Sequence, residues 1–100
     1  KLENVTQEQL DLKYALQDIN NSISTLLTNR GFVHMQNNVY DLSHDDFIEA
    51  AKLIALTKSK NSTDYIIIQN NIAVCEMSMG RYPDAIKTLD EVREVMNMVI

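Results

Sequence analysis

Residues 70–90, NNIAVCEMSMGRYPDAIKTLD, contain one of the two glycines of the chain and its only proline, at Gly80 and Pro83. Glycine is favoured just after the end of a helix, and proline in the first turn of the next one. Apolar residues recur at spacings of three and four on both sides of this break. The stretch therefore predicts two antiparallel helices joined by a tight turn.

Small residues lie on both sides of that turn. Ala73 precedes it and Ala85 follows it. Small side chains let two helices approach closely where they cross. We therefore expect Tyr82 and Leu89 to fill the gaps on either side of this crossing.

The rest of the chain also predicts helices. Two glycines and one proline in 100 residues are few for the many turns of a sheet protein. Thr6 and Gln9 form a capping-box pattern at the start of the first helix. Gly31 lies inside that helix, where we expect it to permit close packing. One face of the helix carries apolar residues at helical spacing: Leu12, Leu16, Ile19, Ile23 and Leu26.

Two further capping patterns divide the remainder. A polar loop over residues 37–45 is expected to end with Ser43 as the cap of the second helix, and Asp46 three residues later supports this. Ser62 or Thr63 is expected to cap the third helix. The predicted helices span about residues 6–37, 44–57, 64–79 and 82–97.

An internal similarity links the second and fourth helices. DFIEAAKLI at residues 46–54 aligns with RYPDAIKTL at residues 81–89, at an offset of 35 residues and with seven extra residues upstream, VYDLSHD. Self-similarity at this period is typical of helical repeats, and residues 70–90 fit the tetratricopeptide (TPR) pattern in part. The residues expected to pack the repeats are Phe47, Ala50, Ile54, Ile72, Ala73, Gly80, Tyr82, Ala85 and Leu89.

We therefore predict an all-α fold of antiparallel helical hairpins stacked as a TPR-like α-solenoid. Residues 1–100 are expected to form one helical repeat segment, part of a longer solenoid. The net charge of −5 and the scattered basic residues disfavour nucleic acid as a partner. No apolar run reaches the roughly 18 residues of a membrane span.

The sequence offers little that indicates catalysis. The single cysteine, Cys75, lies late in the third helix on its apolar face, where core packing is expected. His34 and His44 are not part of any metal-ligand spacing. A glycine-rich phosphate loop is also missing from the sequence. We therefore expect a protein that is not an enzyme and has no cofactor, metal or small-molecule substrate.

A protein-binding face is predicted on the third helix. By repeat register, the groove residues are Ile67, Asn70, Val74 and Met77. A TPR receptor for peptide carboxylates needs Lys or Arg on this face, yet residues 64–79 contain neither. The pattern favours a helix or an apolar segment as the bound partner. A TPR peptide-binding adaptor, comparable to a co-chaperone, remains the alternative.

Three stretches resemble a known family: LTNRGFVHMQNN at residues 27–38, DFIEAAKLI at 46–54 and IQNNIAVCEMSMGRYPDAIKTLDEV at 68–92. Together they resemble the C-terminal TPR region of the trafficking protein particle (TRAPP) complex subunit 12 family. The resemblance covers residues 26–95, and its most specific part is Asn70-Asn71 followed by Ala73-Val74-Cys75 and Gly80.

That resemblance implies a non-catalytic scaffold subunit of a TRAPP III-type vesicle tether. Such a complex activates a Rab GTPase by nucleotide exchange, in ER-to-Golgi transport and in autophagy. The implied partners are other TRAPP subunits. The implied location is the cytoplasm, peripheral to the ER–Golgi intermediate compartment and the Golgi.

Overall fold

A computed structural model describes residues 6–100 of the chain as four α-helices. They are α1 (Gln7–Gln36), α2 (Tyr40–Thr57), α3 (Thr63–Ser78) and α4 (Tyr82–Val99). Each helix packs mainly against the next one in the chain, and the molecule measures 52 × 31 × 19 Å. Because short connections join successive helices, they form stacked antiparallel hairpins. The predicted all-α solenoid fold is confirmed.

Local chemistry sets most of the helix ends. The Thr6 hydroxyl accepts a hydrogen bond from the Gln9 amide, and the Gln9 side chain accepts one from the Thr6 amide, so the capping box is present. Ser62 caps α3 by accepting from the amide of Tyr65. Pro83 lies in the first turn of α4. At these ends the predicted and observed bounds differ by at most two residues.

The prediction for the start of α2 was wrong. The helix begins at Tyr40, and Val39 occupies the N-cap position without a side-chain cap. Ser43 is therefore inside the helix, where its hydroxyl donates to the Gly31 carbonyl at 2.7 Å. Asp46 instead accepts two hydrogen bonds from the Arg30 guanidinium, at 2.7 and 2.9 Å. Both side chains face α1 because the helix starts about one turn before the polar pattern suggests.

The two hairpin turns are built alike. Asn38 has φ 61° and Gly80 has φ 75°, the left-handed conformation that ends a helix. The amide of Val39 bonds the carbonyl of His34, and the amide of Arg81 bonds the carbonyl of Glu76, both at 2.8 Å. Each of these residues in the turn between α1 and α2 thus has a counterpart 42 residues later in the turn between α3 and α4. The structural repeat is 42 residues, and the predicted offset of 35 was wrong.

At the corrected offset, the small residues of the two hairpins match. Gly31 corresponds to Ala73, and Ser43 corresponds to Ala85. All four of these residues are buried. The seven residues VYDLSHD are not a loop insertion, since they lie at the turn and in the first turns of α2.

Phe47 is the largest fully buried side chain. A β-carbon placed on Gly31 would lie 2.7 Å from the Phe47 ring, so the glycine permits this contact, as expected. The ring of Phe32 meets that of Phe47 edge to face, with centroids 5.2 Å apart. The buried core then continues between α2 and α3 through Ala51, Ile54, Ile68, Ile72 and Cys75.

Three of the nine expected packing residues are not buried: Gly80 in the turn, and Tyr82 and Leu89 on α4. Tyr82 and Leu89 were predicted to fill gaps beside the crossing of α3 and α4, yet both are exposed. They lie on the same side of α4 as the buried Ala85 and Val92, at the edge of the contact with α3. The remaining packing residues of helical segments, Phe47, Ala50, Ile54, Ile72, Ala73 and Ala85, are buried.

We expect Gly31→Ala to destabilise the fold. Overpacking a core lowers the free energy of unfolding by about 1–3 kcal/mol, whereas the better helix propensity of alanine returns at most about 1 kcal/mol. Urea unfolding followed by circular dichroism measures the difference. Gln17→Ala, at an exposed position of the same helix, is the matched control and is expected to be neutral or stabilising. A Gly31→Ala protein as stable as this control would contradict the close contact.

Candidate protein-binding groove

One face of α3 is open to solvent along the length of the helix. Ile67 is 50% exposed and Met77 is 43% exposed. Asn70 is exposed and Val74 is half-buried. The spacings of three and four between these residues place them in a single stripe. The structure thus brings the four predicted groove residues together on one surface, which we call the α3 stripe.

A cleft of about 190 Å³ lies beside one end of the stripe, between α1 and α3. Ile67 and Ile68 line it from α3, and Phe32 lines it from α1. Thr28 also lines the cleft, but its hydroxyl donates to the Ser24 carbonyl of its own helix at 2.7 Å. The walls are therefore mixed: the apolar part comes from Phe32, Ile54, Ile67 and Ile68, and the polar part from Ser24, Thr25, Thr28, Asn29, Lys58 and Asp64.

The charge at the mouth of this cleft is already neutralised. The Lys58 ammonium forms an ion pair with the Asp64 carboxylate, and both residues line the cleft. Arg30, the basic residue of α1 nearest to the cleft in sequence, is bound to Asp46. A peptide carboxylate would therefore have to displace an existing acidic partner to bind here.

A chain of buried hydrogen bonds connects the first three helices. The Cys75 thiol donates to the Ser43 hydroxyl at 3.4 Å, and that hydroxyl donates to the Gly31 carbonyl at 2.7 Å. Burial raises the pKa of the Cys75 thiol; the hydrogen bond with Ser43 opposes this rise and the nearby Glu76 charge adds to it. The sulfur is therefore held as a neutral thiol inside the core rather than as a reactive thiolate.

Glu76 connects three helices. Its Oε1 accepts a hydrogen bond from the Thr88 hydroxyl of α4 at 2.7 Å. Its Oε2 lies 3.3 Å from Nε2 of His44 on α2. Glu76 is only 5% exposed, and carboxylate side chains are rarely buried unless they are paired. The sequence analysis did not predict this role for Glu76. The available signal was a charged residue at a position where the TPR pattern has tyrosine.

Potential reactive groups do not assemble elsewhere in residues 6–100. No group of three or more His, Cys, Asp or Glu side chains in this part of the chain could hold a metal ion. His34 lies 3.7 Å from Asp46, and His44 contacts Glu76, so both histidines take part in packing between helices. None of the helices described is long and apolar enough to cross a membrane.

Glu76→Ala is expected to destabilise the protein by about 1–3 kcal/mol, because Thr88 and His44 lose their buried partner. Glu76→Gln should lose less, since the amide oxygen can still accept from Thr88. Thermal or urea unfolding measures the stability of both variants and tests whether Glu76→Ala loses more than Glu76→Gln. The control is Glu94→Ala, at an exposed site on α4. Equal stability of Glu76→Ala and the control would show that the carboxylate does not hold the helices together.

Cys75 is expected to resist thiol reagents in the native protein. Reaction with dithionitrobenzoate at mildly alkaline pH should be slow, because the thiol is buried and its pKa is raised. It should become fast in guanidinium chloride. A Cys75→Ala protein carrying Leu56→Cys, at an exposed site, provides the fast native control. Native labelling of Cys75 at the rate of that control would contradict a closed core.

Comparisons with known proteins give one limited similarity. No protein-family profile matches the chain, and no solved structure matches it. The chain is 30% identical over 82 residues to Protein POLLENLESS 3 of Arabidopsis thaliana. The aligned region covers 82% of this chain and 17% of that protein. The chain therefore spans about 17% of the length of the curated relative that it matches, and the similarity concerns this helical segment.

Proposed function

We propose that the chain is a non-catalytic protein-binding module, in which the α3 stripe holds a helix or an apolar segment of a partner protein. The α3 stripe carries this proposal: the exposed Ile67 and Met77 and the half-buried Val74 form an apolar surface beside a cleft that Phe32 and Ile68 also line. Helix-in-groove recognition uses such surfaces, with apolar anchors at spacings of three and four.

The charges on the groove favour this partner over a peptide carboxylate. Residues 64–79 contain no lysine or arginine, and Lys58 is paired with Asp64. A co-chaperone-like receptor would need free cations that hydrogen-bond a terminal carboxylate. This second candidate function therefore receives less support from the groove.

At a finer level, we propose that the module is a scaffold arm of a TRAPP III-type tethering complex. The resemblance over residues 26–95 to the TRAPP subunit 12 family supports this assignment. On this proposal the partners are other TRAPP subunits, and the complex acts as a Rab GTPase exchange factor in ER-to-Golgi transport and autophagy. The protein would act in the cytoplasm at the surface of these membranes, and it would contribute assembly rather than chemistry.

Charge placed on the stripe is expected to reduce partner binding. Ile67→Glu would put a carboxylate at the entrance of the cleft, and Val74→Glu would put one in the middle of the stripe. We expect both to lose most of the co-purifying TRAPP subunits in an affinity purification of the full-length protein. Lys87→Glu, at an exposed site on α4, is the charge-changing control and should retain them.

Circular dichroism separates loss of binding from loss of folding, and Ile67 is exposed enough for the change to be tolerated. Equal losses in all three variants would contradict the groove. Recovery of no TRAPP subunit by the wild-type protein would contradict the assignment to that complex. Tight binding of a synthetic acidic peptide with a free C-terminal carboxylate would instead favour the co-chaperone-like function.

A further inference from the structure

The first half of α1 extends beyond the helical stack. α1 has 30 residues, whereas α3, which occupies the same place in the second hairpin, has 16. Residues 7–19 are exposed apart from Leu10, which is half-buried. An isolated helix of this length is marginal in water, because most helical stability comes from packing of one face. The extension therefore lacks its stabilising contact within residues 6–100.

α1 carries a continuous apolar stripe that starts in this extension and continues into the stack, which we call the α1 seam: Leu12, Leu16, Ile19, Ile23 and Leu26. These side chains are between 42% and 69% exposed. Their spacing alternates four, three, four and three, which is the a and d pattern of a helix that pairs with another helix. Ser24 and Gly31, which are buried where α2 packs, lie about a third of a turn away from the seam. A second helix can therefore cover the seam while α2 stays in place.

A further helix added to the stack would cover only part of the α1 seam. At the offset of 42 residues, Ile23 and Leu26 correspond to Tyr65 and Ile68, which pack near or within the core between α2 and α3. Leu12, Leu16 and Ile19 precede any counterpart in α3, because α3 begins at Thr63. A neighbouring helix placed as α2 lies on α3 would leave those three residues uncovered. A helix that covers these three residues must extend as far from the stack as α1 does.

The charges beside the seam identify such an occupant. In the heptad frame of the seam, Glu8 occupies a g position and Lys13 the following e position. In two parallel helices in register, a g residue lies beside the e residue five positions later in the partner. Glu8 of each helix would therefore meet Lys13 of the other, twice per pair. In an antiparallel pair, e residues lie beside e residues and g beside g, so Glu8 and Lys13 would not meet. With Leu16 opposite Leu26, Lys13 would lie beside Leu27, which is uncharged.

From this geometry we propose that two copies of the chain associate through the α1 seam as a parallel, in-register helical pair. The two stacks would extend from one end of the pair, each with its own α3 stripe. The cleft between α1 and α3 is on the other side of α1, lined by Thr25, Asn29 and Phe32. Pairing and partner binding therefore use different surfaces.

Sedimentation velocity of the full chain over a hundredfold range of concentration tests association. We expect a concentration-dependent shift from 11.4 kDa to twice that mass. Leu16→Glu should abolish the shift, and Leu56→Glu, at an exposed site outside the seam, should retain it. Glu8→Lys or Lys13→Glu alone should weaken association, and the two together should restore it.

Cysteine cross-linking tests the direction of the pair. In a Cys75→Ala background, Leu16→Cys should give a disulfide-linked dimer on mild oxidation, because a residues face each other in a parallel pair. Leu56→Cys should give none under the same conditions. A wild-type chain that is monomeric throughout overturns the proposal. So does a Leu16→Cys protein that links only to a Leu26→Cys protein, which would mean antiparallel pairing.

Discussion

The ring of Phe47 lies against the backbone of Gly31, at a distance that leaves no room for a β-carbon. This contact sets how closely α1 and α2 approach each other. It also lets one buried ring contact Phe32 on α1 while it contributes to the core shared with α3. Because α1 and α3 both pack on α2, the approach of α1 to α2 that this contact permits also influences the width of the cleft between α1 and α3.

The parts of the fold that could be predicted are those determined by a few neighbouring residues. Caps such as Thr6 and Ser62 act within one helical turn, so their chemistry is readable in the sequence. The start of α2 was missed because the turn relies on Asn38 in a left-handed conformation and on Val39, which offers no side-chain cap. The repeat offset was wrong by seven residues, since a shift of two helical turns keeps nearly the same residues on the same face.

The candidate site was predictable to a similar degree. The α3 stripe depends on spacing within one helix, so its four residues could be predicted. The cleft depends on side chains from α1, α2 and α3, and no pattern within one helix indicates how they meet. The same is true of Glu76, whose partners lie 32 residues before it and 12 residues after it. To predict contacts over such separations, the correct offset of the repeat must be known. The offset of 35 residues that the sequence predicts is wrong.

Contacts in chain order have a mechanical consequence. A stack held mainly by adjacent layers bends and stretches as a spring does, because each hairpin can tilt slightly against the next. Buried polar contacts follow the same order, since Glu76 bonds to α2 and α4, the two neighbours of α3, and Arg30 of α1 bonds to Asp46 of α2. Each interface between consecutive helices should consequently resist tilting through its own polar contacts. Within residues 6–100, α1 and α3 share no extensive packing across the cleft. Small tilts of α1 and of α3 against α2 would therefore add up at the cleft and change the opening that admits a guest segment.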